Sequence, residues 1–180
     1  VFQVTSLSTT GFVSADFETW PTFSKLLLLI LMMIGGCAGS TASGIKVARI
    51  ILLVRNARAV ILQKLNPHRV VDISLGGAHV DSAMLLRVGT FFFLYLAIIF
   101  VTAFLLTMDG LLPFDAIAVA VTTIGNIGPA FGIVSATSTY APLSNFVKAV
   151  LCLSMLLGRL EIFTLLILLR PSFWRKTKRW

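Results

Sequence analysis

The stretch Gly35-Gly36-Cys37-Ala38-Gly39-Ser40-Thr41-Ala42-Ser43-Gly44 constrains this chain most, because it cuts what would otherwise be one long apolar helix. Residues 26–34 are Leu, Ile and Met only, and from Ile45 to Val54 the apolar run resumes, broken by Lys46 and Arg49. With 57% hydrophobic and 12% charged residues, and a mean hydropathy of +0.96, the chain reads as an integral membrane protein. Soluble domains carry about a quarter charged residues. In a bilayer, backbone groups freed by such a cut must be satisfied by protein, water or an ion, so irregular backbone survives only where it lines a cavity or is buried in protein. The stretch therefore reads as a pathway element. The plainer alternative is a small-residue surface on which helices pack.

Charge placement sets a topology. Of the 15 Lys and Arg, seven fall between Lys46 and Arg87 and five in the tail from Arg170 to Arg179. If the spans alternate, those two segments share one side, and the positive-inside rule makes that side cytoplasmic. Asp16, Glu18, Asp109 and Asp115 fall on the other side, where acidic groups attract cations. This distribution accounts for the net charge of +8 without nucleic acid as a partner. The chain opens at Val1 with no charged segment ahead of an apolar core, which suggests the C-terminal part of a longer protein rather than a signal peptide. Cys37 and Cys152 sit in apolar surroundings and read as small packing residues, not as a disulfide.

Taken in order, residues 1–12 are too short and polar to span. A polar connection from Val13 to Thr22 leads to a helix expected from about Phe23, through the break, to about Val60. Its length exceeds the ~20 residues a span needs, so it must bend at the glycines or project into the cytoplasm. From Ile61 to Ala83 the chain turns polar; Arg69 to Leu75 alternates weakly, Gly76-Gly77 signals a turn and Ala78-His79-Val80 comes after it, a pattern that fits a small cytoplasmic β-hairpin. His68 and His79 lack zinc-ligand spacing and read as loop histidines. Ala83 to Met108 is a clear span. Pro113 to Thr123 is half a span, roughly 17 Å at 1.5 Å per residue, and the Gly125-Asn126-Ile127-Gly128-Pro129 after it marks a re-entrant turn. A last span is expected from about Pro142 to Leu169, ahead of a basic and aromatic tail.

A repeat underlies this order. Val4-Thr5-Ser6-Leu7-Ser8-Thr9-Thr10-Gly11 aligns with Val121-Thr122-Thr123-Ile124-Gly125-Asn126-Ile127-Gly128 at a constant offset of 117, and Lys25, Met32 and Gly35 align with Lys148, Met155 and Gly158 at an offset of 123. A period of about 120 residues is too long for a solenoid and suits a duplicated membrane unit of span, half-helix, extended strand and span. A half-helix directed inward from the outer face brings its negative dipole end to the membrane interior. Its carbonyls and those of the strand can replace water around a cation. Thr5, Thr9, Thr10, Thr122, Thr123 and Asn126 would support or extend that oxygen lining. No catalytic carboxylate pair, Ser/His/Asp set or metal cluster competes, so an enzyme is not expected. The run from Gly39 to Lys46 is no phosphate loop, because its Lys does not directly follow the Gly and no strand precedes it.

These residues resemble the Trk/Ktr superfamily of potassium-uptake proteins, specifically the Trk-type membrane subunit. The likeness is carried by Ser-Thr-Thr-Gly-Phe at 8–12, Gly-Gly-Cys-Ala-Gly-Ser-Thr followed by Gly-Ile-Lys at 35–46, Asn-Ile-Gly-Pro at 126–129 and Gly-Arg-Leu-Glu at 158–161. The resemblance implies an all-α polytopic membrane fold in which four such units surround one pseudo-fourfold pore. This chain would supply the third and fourth: residues 1–60 the end of the third unit, 61–83 a cytoplasmic connection, and 84–180 the fourth unit with its tail. It implies an ion filter at Thr9, Thr10, Gly11, Asn126, Ile127 and Gly128, with K⁺ held at Thr10, Gly11, Ile127 and Gly128. It implies a gating loop beneath, at Gly35, Gly36, Gly39, Ser40, Thr41, Ser43 and Gly44, faced by Arg159. Ala42-Ser43, and Ala130 after Pro129, stand where the family would place glycine. The resemblance further implies potassium uptake as the function, K⁺ as transported ion with no covalently bound cofactor, and a multi-pass place in a bacterial or archaeal plasma membrane. Membrane lipid, a homodimer and a cytosolic nucleotide-binding ring are the implied partners, the ring docking on the basic segments.

An ion-coupled secondary transporter is the rival, since broken helices also mark substrate sites there. Inverted copies would favour it. The two copies here run in the same orientation, which favours a channel-like pore.

Overall fold

The computed structural model describes residues 9, 11, 13, 16–37, 39–40, 43–66, 73–75, 78–135, 138–160 and 167. Among them are five α-helices: α1 (Thr22–Ile34), α2 (Val47–Leu65), α3 (Ser82–Thr107), α4 (Pro113–Ile124) and α5 (Asn145–Arg159). The all-helical architecture expected from the sequence carries one small addition. Strands β1 (Ser74–Leu75) and β2 (Ala78–His79) pair antiparallel, Ser74 opposite His79 and Leu75 opposite Ala78, where the hairpin was expected. Arg55 on α2 donates to the Ser74 carbonyl, and Leu52, Val80 and Val88 form a small apolar cluster beneath.

The long helix breaks where its sequence said it would. α1 stops at Ile34 and α2 starts at Val47, and the described residues between them are not helical, so no single span runs from Phe23 to Val60. α3 is the described helix long and apolar enough to cross a membrane, with 26 residues. Its buried positions, Val88, Phe91, Tyr95, Ile99, Thr102 and Leu106, recur every three or four residues and face the other helices. Phe93, Phe100, Val101 and Phe104 on the opposite face are 60–70% exposed. A helix apolar on both faces fits lipid on its outer side. Across its inner side the Thr102 and Ser154 hydroxyls bond at 3.1 Å, a buried tie from α3 to α5.

α4 is the half-helix expected from Pro113, one residue longer than anticipated, with Pro113 in its first turn. It is the most enclosed element: Ala116 and every residue from Ala118 to Ile124 are fully buried among α1, α3 and α5. The last helix begins three residues later than expected. Pro142 lies in a turn, and Ser144 caps α5 by accepting the Val147 amide at 3.3 Å while Asp109 accepts the Ser144 amide at 3.0 Å. Cys37 and Cys152 are free, as expected, but exposed rather than packed. Residues 1–8, Thr10, Phe12, Thr41, Ala42, His68, Arg69 to Asp72, Gly76, Gly77, Glu161 and the tail from Arg170 lie outside the described residues.

Candidate functional site

The end of α4 builds the site. Its last carbonyls do not hang free: the Asn126 amide donates to the Thr123 carbonyl at 3.1 Å and the Ile127 amide to the Thr122 carbonyl at 2.9 Å. That is a Schellman closure, with Asn126 in the left-handed conformation at φ +52 where glycine is usual. The Thr122 and Thr123 hydroxyls also turn back, onto the carbonyls of Val119 and Ala120. Sequence reasoning placed these groups as oxygen lining. The structure uses them to finish the helix, because a fully buried helix end must satisfy its own polar groups.

Asn126 then ties three segments together. Its side-chain amide donates to Ser43 Oγ at 3.1 Å, to the Met155 carbonyl at 3.2 Å and to the Ile124 carbonyl at 3.4 Å. Two of these partners are carbonyls, which only accept, so the nitrogen must face them. One side chain thus joins the end of the half-helix, the broken span and α5. Gly158 makes the close approach possible, since a Cβ there would overlap the Ile124 carbonyl.

The sequence repeat is also a repeat of backbone. Thr9 and Asn126, paired by the offset of 117, have φ +56 and +52; Gly11 and Gly128, paired the same way, have φ +73 and +106. Downstream, Trp20 donates to the Phe17 carbonyl at 3.2 Å, and its counterpart Leu143 to the Tyr140 carbonyl at 3.3 Å. α1 and α5 start at Thr22 and Asn145, again 123 apart. The two copies meet, because a Cβ on Gly11 would overlap the Ile127 carbonyl oxygen, whereas one on Gly128 would have open space. Of the remaining filter candidates, Ile127 is 5% exposed.

The broken span closes on itself at a neck. The Ile45 amide donates to the Met33 carbonyl at 3.3 Å and the Val47 amide to the Gly36 carbonyl at 3.1 Å. Beyond the neck, Ser40 donates its amide and hydroxyl to the Cys37 carbonyl, and Gly39 and Ser40 are exposed. Gly35, Ser43, Gly44 and Ile45 are buried, and Gly36 is half-buried. Arg159 ends α5, exposed, at the position paired with Gly36.

Two residues that the sequence reading did not place at the site also belong here. Tyr140 donates its hydroxyl to the Gly128 carbonyl at 2.6 Å, and burial pushes its phenol above the ordinary value. Glu18 accepts from Lys25 at 2.9 Å and from the Gly132 amide at 3.3 Å, linking the outer loops of the two copies. Phe17 packs edge-on against Phe131 beside it, their centroids 5.2 Å apart. An aromatic and an acid in an outer loop give no local pattern that would have marked them. The repeat does, since it pairs Phe17 with Tyr140 and Glu18 with Ala141.

Comparison with known proteins adds to this geometry. A family model described as TrkH, cation transport protein, matches residues 1–176. The chain is 43% identical over 180 residues to the Trk system potassium uptake protein TrkH of Vibrio parahaemolyticus and 39% identical over 176 residues to that of Escherichia coli K12. Each comparison covers 97% of this chain and 36% of the relative, so the chain spans about a third of their length. The crystal structure of the potassium transporter TrkH from Vibrio parahaemolyticus superposes with a TM-score of 0.83 at 40% identity, over 94% of this chain and 36% of that one.

Proposed function

Because this chain belongs to the TrkH family of cation transport proteins, we propose that it forms two of four units around a pathway for potassium uptake across the plasma membrane. The observation that carries the reading is the duplicated backbone: two segments, each with a positive-φ pair, which meet at Gly11 and Ile127. Residues 1–60 end the third unit, 61–83 connect, and 84–180 form the fourth. Thr9, Thr10, Gly11, Asn126, Ile127 and Gly128 form this chain's share of the filter, with K⁺ against Thr10, Gly11, Ile127 and Gly128. Backbone oxygens suit K⁺ because they replace its hydration shell without fixing a counter-charge that would trap it.

The loop Gly35–Gly44 lies under the filter as a gate. Gly36, Gly39, Ser40, Thr41 and Ser43 form its body, and Arg159 faces it, repelling cations and holding it across the path. The protein works as a homodimer embedded in lipid of a bacterial or archaeal inner membrane. A cytosolic nucleotide-binding ring docks on the basic segments and moves the gate. Relatives named as potassium uptake proteins support the ion; the gate rests on Asn126 joining Ser43 to the filter segment.

Flux from the full-length protein in liposomes tests the reading, with opposed K⁺ and Na⁺ gradients. Uptake that favours K⁺, and that Gly128→Ser makes less selective in folded protein, is the expected result. Equal passage of both ions by the unmodified protein would remove the filter assignment.

A further inference from the structure

Tyr140 stands in the outer connection, twelve residues past Gly128, and its hydroxyl reaches back to that glycine's carbonyl at 2.6 Å. Its mount is rigid. The Leu143 amide closes the turn onto the Tyr140 carbonyl, the Lys148 ammonium holds the neighbouring Ala141 carbonyl at 2.9 Å, and Asp109 anchors Ser144. The ring itself packs against the main apolar core. Gly128, by contrast, has φ +106 and nothing within 4 Å of where a Cβ would stand. A glycine so placed can rotate its peptide plane at little cost. The hydrogen bond from Tyr140 selects one orientation for its carbonyl.

The first copy has no tyrosine at this position. Phe17, the counterpart of Tyr140, occupies the same turn with the same ring but has no hydroxyl to donate.

We propose that Tyr140 is a positioning residue for ion selectivity, its hydroxyl holding the Gly128 carbonyl so that the second copy of the filter cannot close around an ion smaller than K⁺. This rests on the filter reading above. A smaller cation draws carbonyl oxygens inward, and an oxygen already accepting from a half-buried phenol is held back from that movement. The phenol is a dependable donor, since burial favours its neutral form.

The test is Tyr140→Phe in the full-length protein, which gives the second copy the residue of the first. Uptake of K⁺, the K⁺:Na⁺ ratio in mixed-ion flux and thermal stability are measured together. The expected result is K⁺ uptake within about twofold of the unmodified protein and a selectivity ratio reduced by about five- to tenfold, the factor one neutral hydrogen bond can set. An unchanged ratio in folded protein would overturn the proposal. So would a loss of stability and total flux with the ratio intact, which is what a merely structural tyrosine gives. An unmodified protein without K⁺ preference would bring down the filter reading and this proposal together, whereas K⁺ preference shared equally by both proteins would bring down this proposal alone.

Discussion

The two copies of the repeat share a start and differ in their finish. Each has a positive-φ pair, then a turn closed by one amide-to-carbonyl bond, then an apolar helix starting at the same register. Thirteen residues on, each meets a glycine, and there they part. At Gly35 the backbone turns to φ +73 and α1 ends; at Gly158 the helix continues to Arg159. The same residue permits both outcomes, since glycine carries no Cβ to forbid either. The residues after each glycine, and those packed beside it, decide between them. Gly36 to Gly44 is small and polar enough to leave the helix and close a neck, whereas Gly158 is pressed against the end of α4 and anchored through Met155 to Asn126. Among the described residues, one copy thus turns at its glycine and the other stays helical through Arg159.

The largest effect that would break this comparison is at the paired glycines. Gly11→Ala puts a methyl into the Ile127 carbonyl and also demands φ +73, so in the full-length protein the melting temperature should fall sharply and, on the filter reading proposed above, K⁺ uptake should vanish. Gly128→Ala meets open space and faces only the left-handed conformation, about 1–2 kcal/mol. Equal losses in the two variants, measured by thermal unfolding in detergent, would mean that the copies do not meet as described.

Next in size is the joint at Asn126. Asn126→Asp keeps the shape and tolerates positive φ, but replaces the donor facing Met155 and Ile124 with an acceptor. It should cost about 2–3 kcal/mol, because the carbonyls lose their partner and face a half-buried charge. Ser43→Ala removes only the tie to the broken span and should cost about 1 kcal/mol while raising basal flux. A flux equal to that of the unmodified protein in folded Ser43→Ala would show that the loop does not depend on this link.

The smallest effect sharpens the comparison at the surface. Glu18→Ala gives the first copy the residue that the second has at Ala141. Its ion pair with Lys25 is partly exposed, with side-chain exposures of 17% and 37%, so the stability change should stay below about 1 kcal/mol. Lys25 should then behave as Lys148 does, reaching a backbone carbonyl instead. A loss well above that bound in calorimetry would show that the bond from Glu18 to Gly132, between the outer loops, matters more than the pair.

Much was legible in the chain alone because membrane segments write their limits in hydropathy and glycine. The break at Gly35, the span from Ser82, the half-helix from Pro113 and the hairpin near Gly76-Gly77 arise from composition acting over a few residues. The repeat was also legible, since aligned glycines, lysines and methionines mark it without any contact being known. Helix starts were less so: the last span is expected from about Pro142, and only the cap from Ser144 with its Asp109 anchor moves the start to Asn145.

Tertiary structure alone decided where the polar groups of the site go. From sequence, Thr122, Thr123 and Asn126 are interchangeable sources of oxygen. Folding puts α4 at the centre of the bundle, where burial forces each hydroxyl onto a carbonyl of its own helix and sends the Asn126 amide across to Ser43 and Met155. Packing likewise gives Tyr140 its partner, 12 residues away along the chain, where the repeat marks the position but not the bond. The physical reason is one of range. Hydropathy and backbone preference act locally and can be read in order, whereas a buried polar group must take whichever partner the packing brings within 3 Å or so.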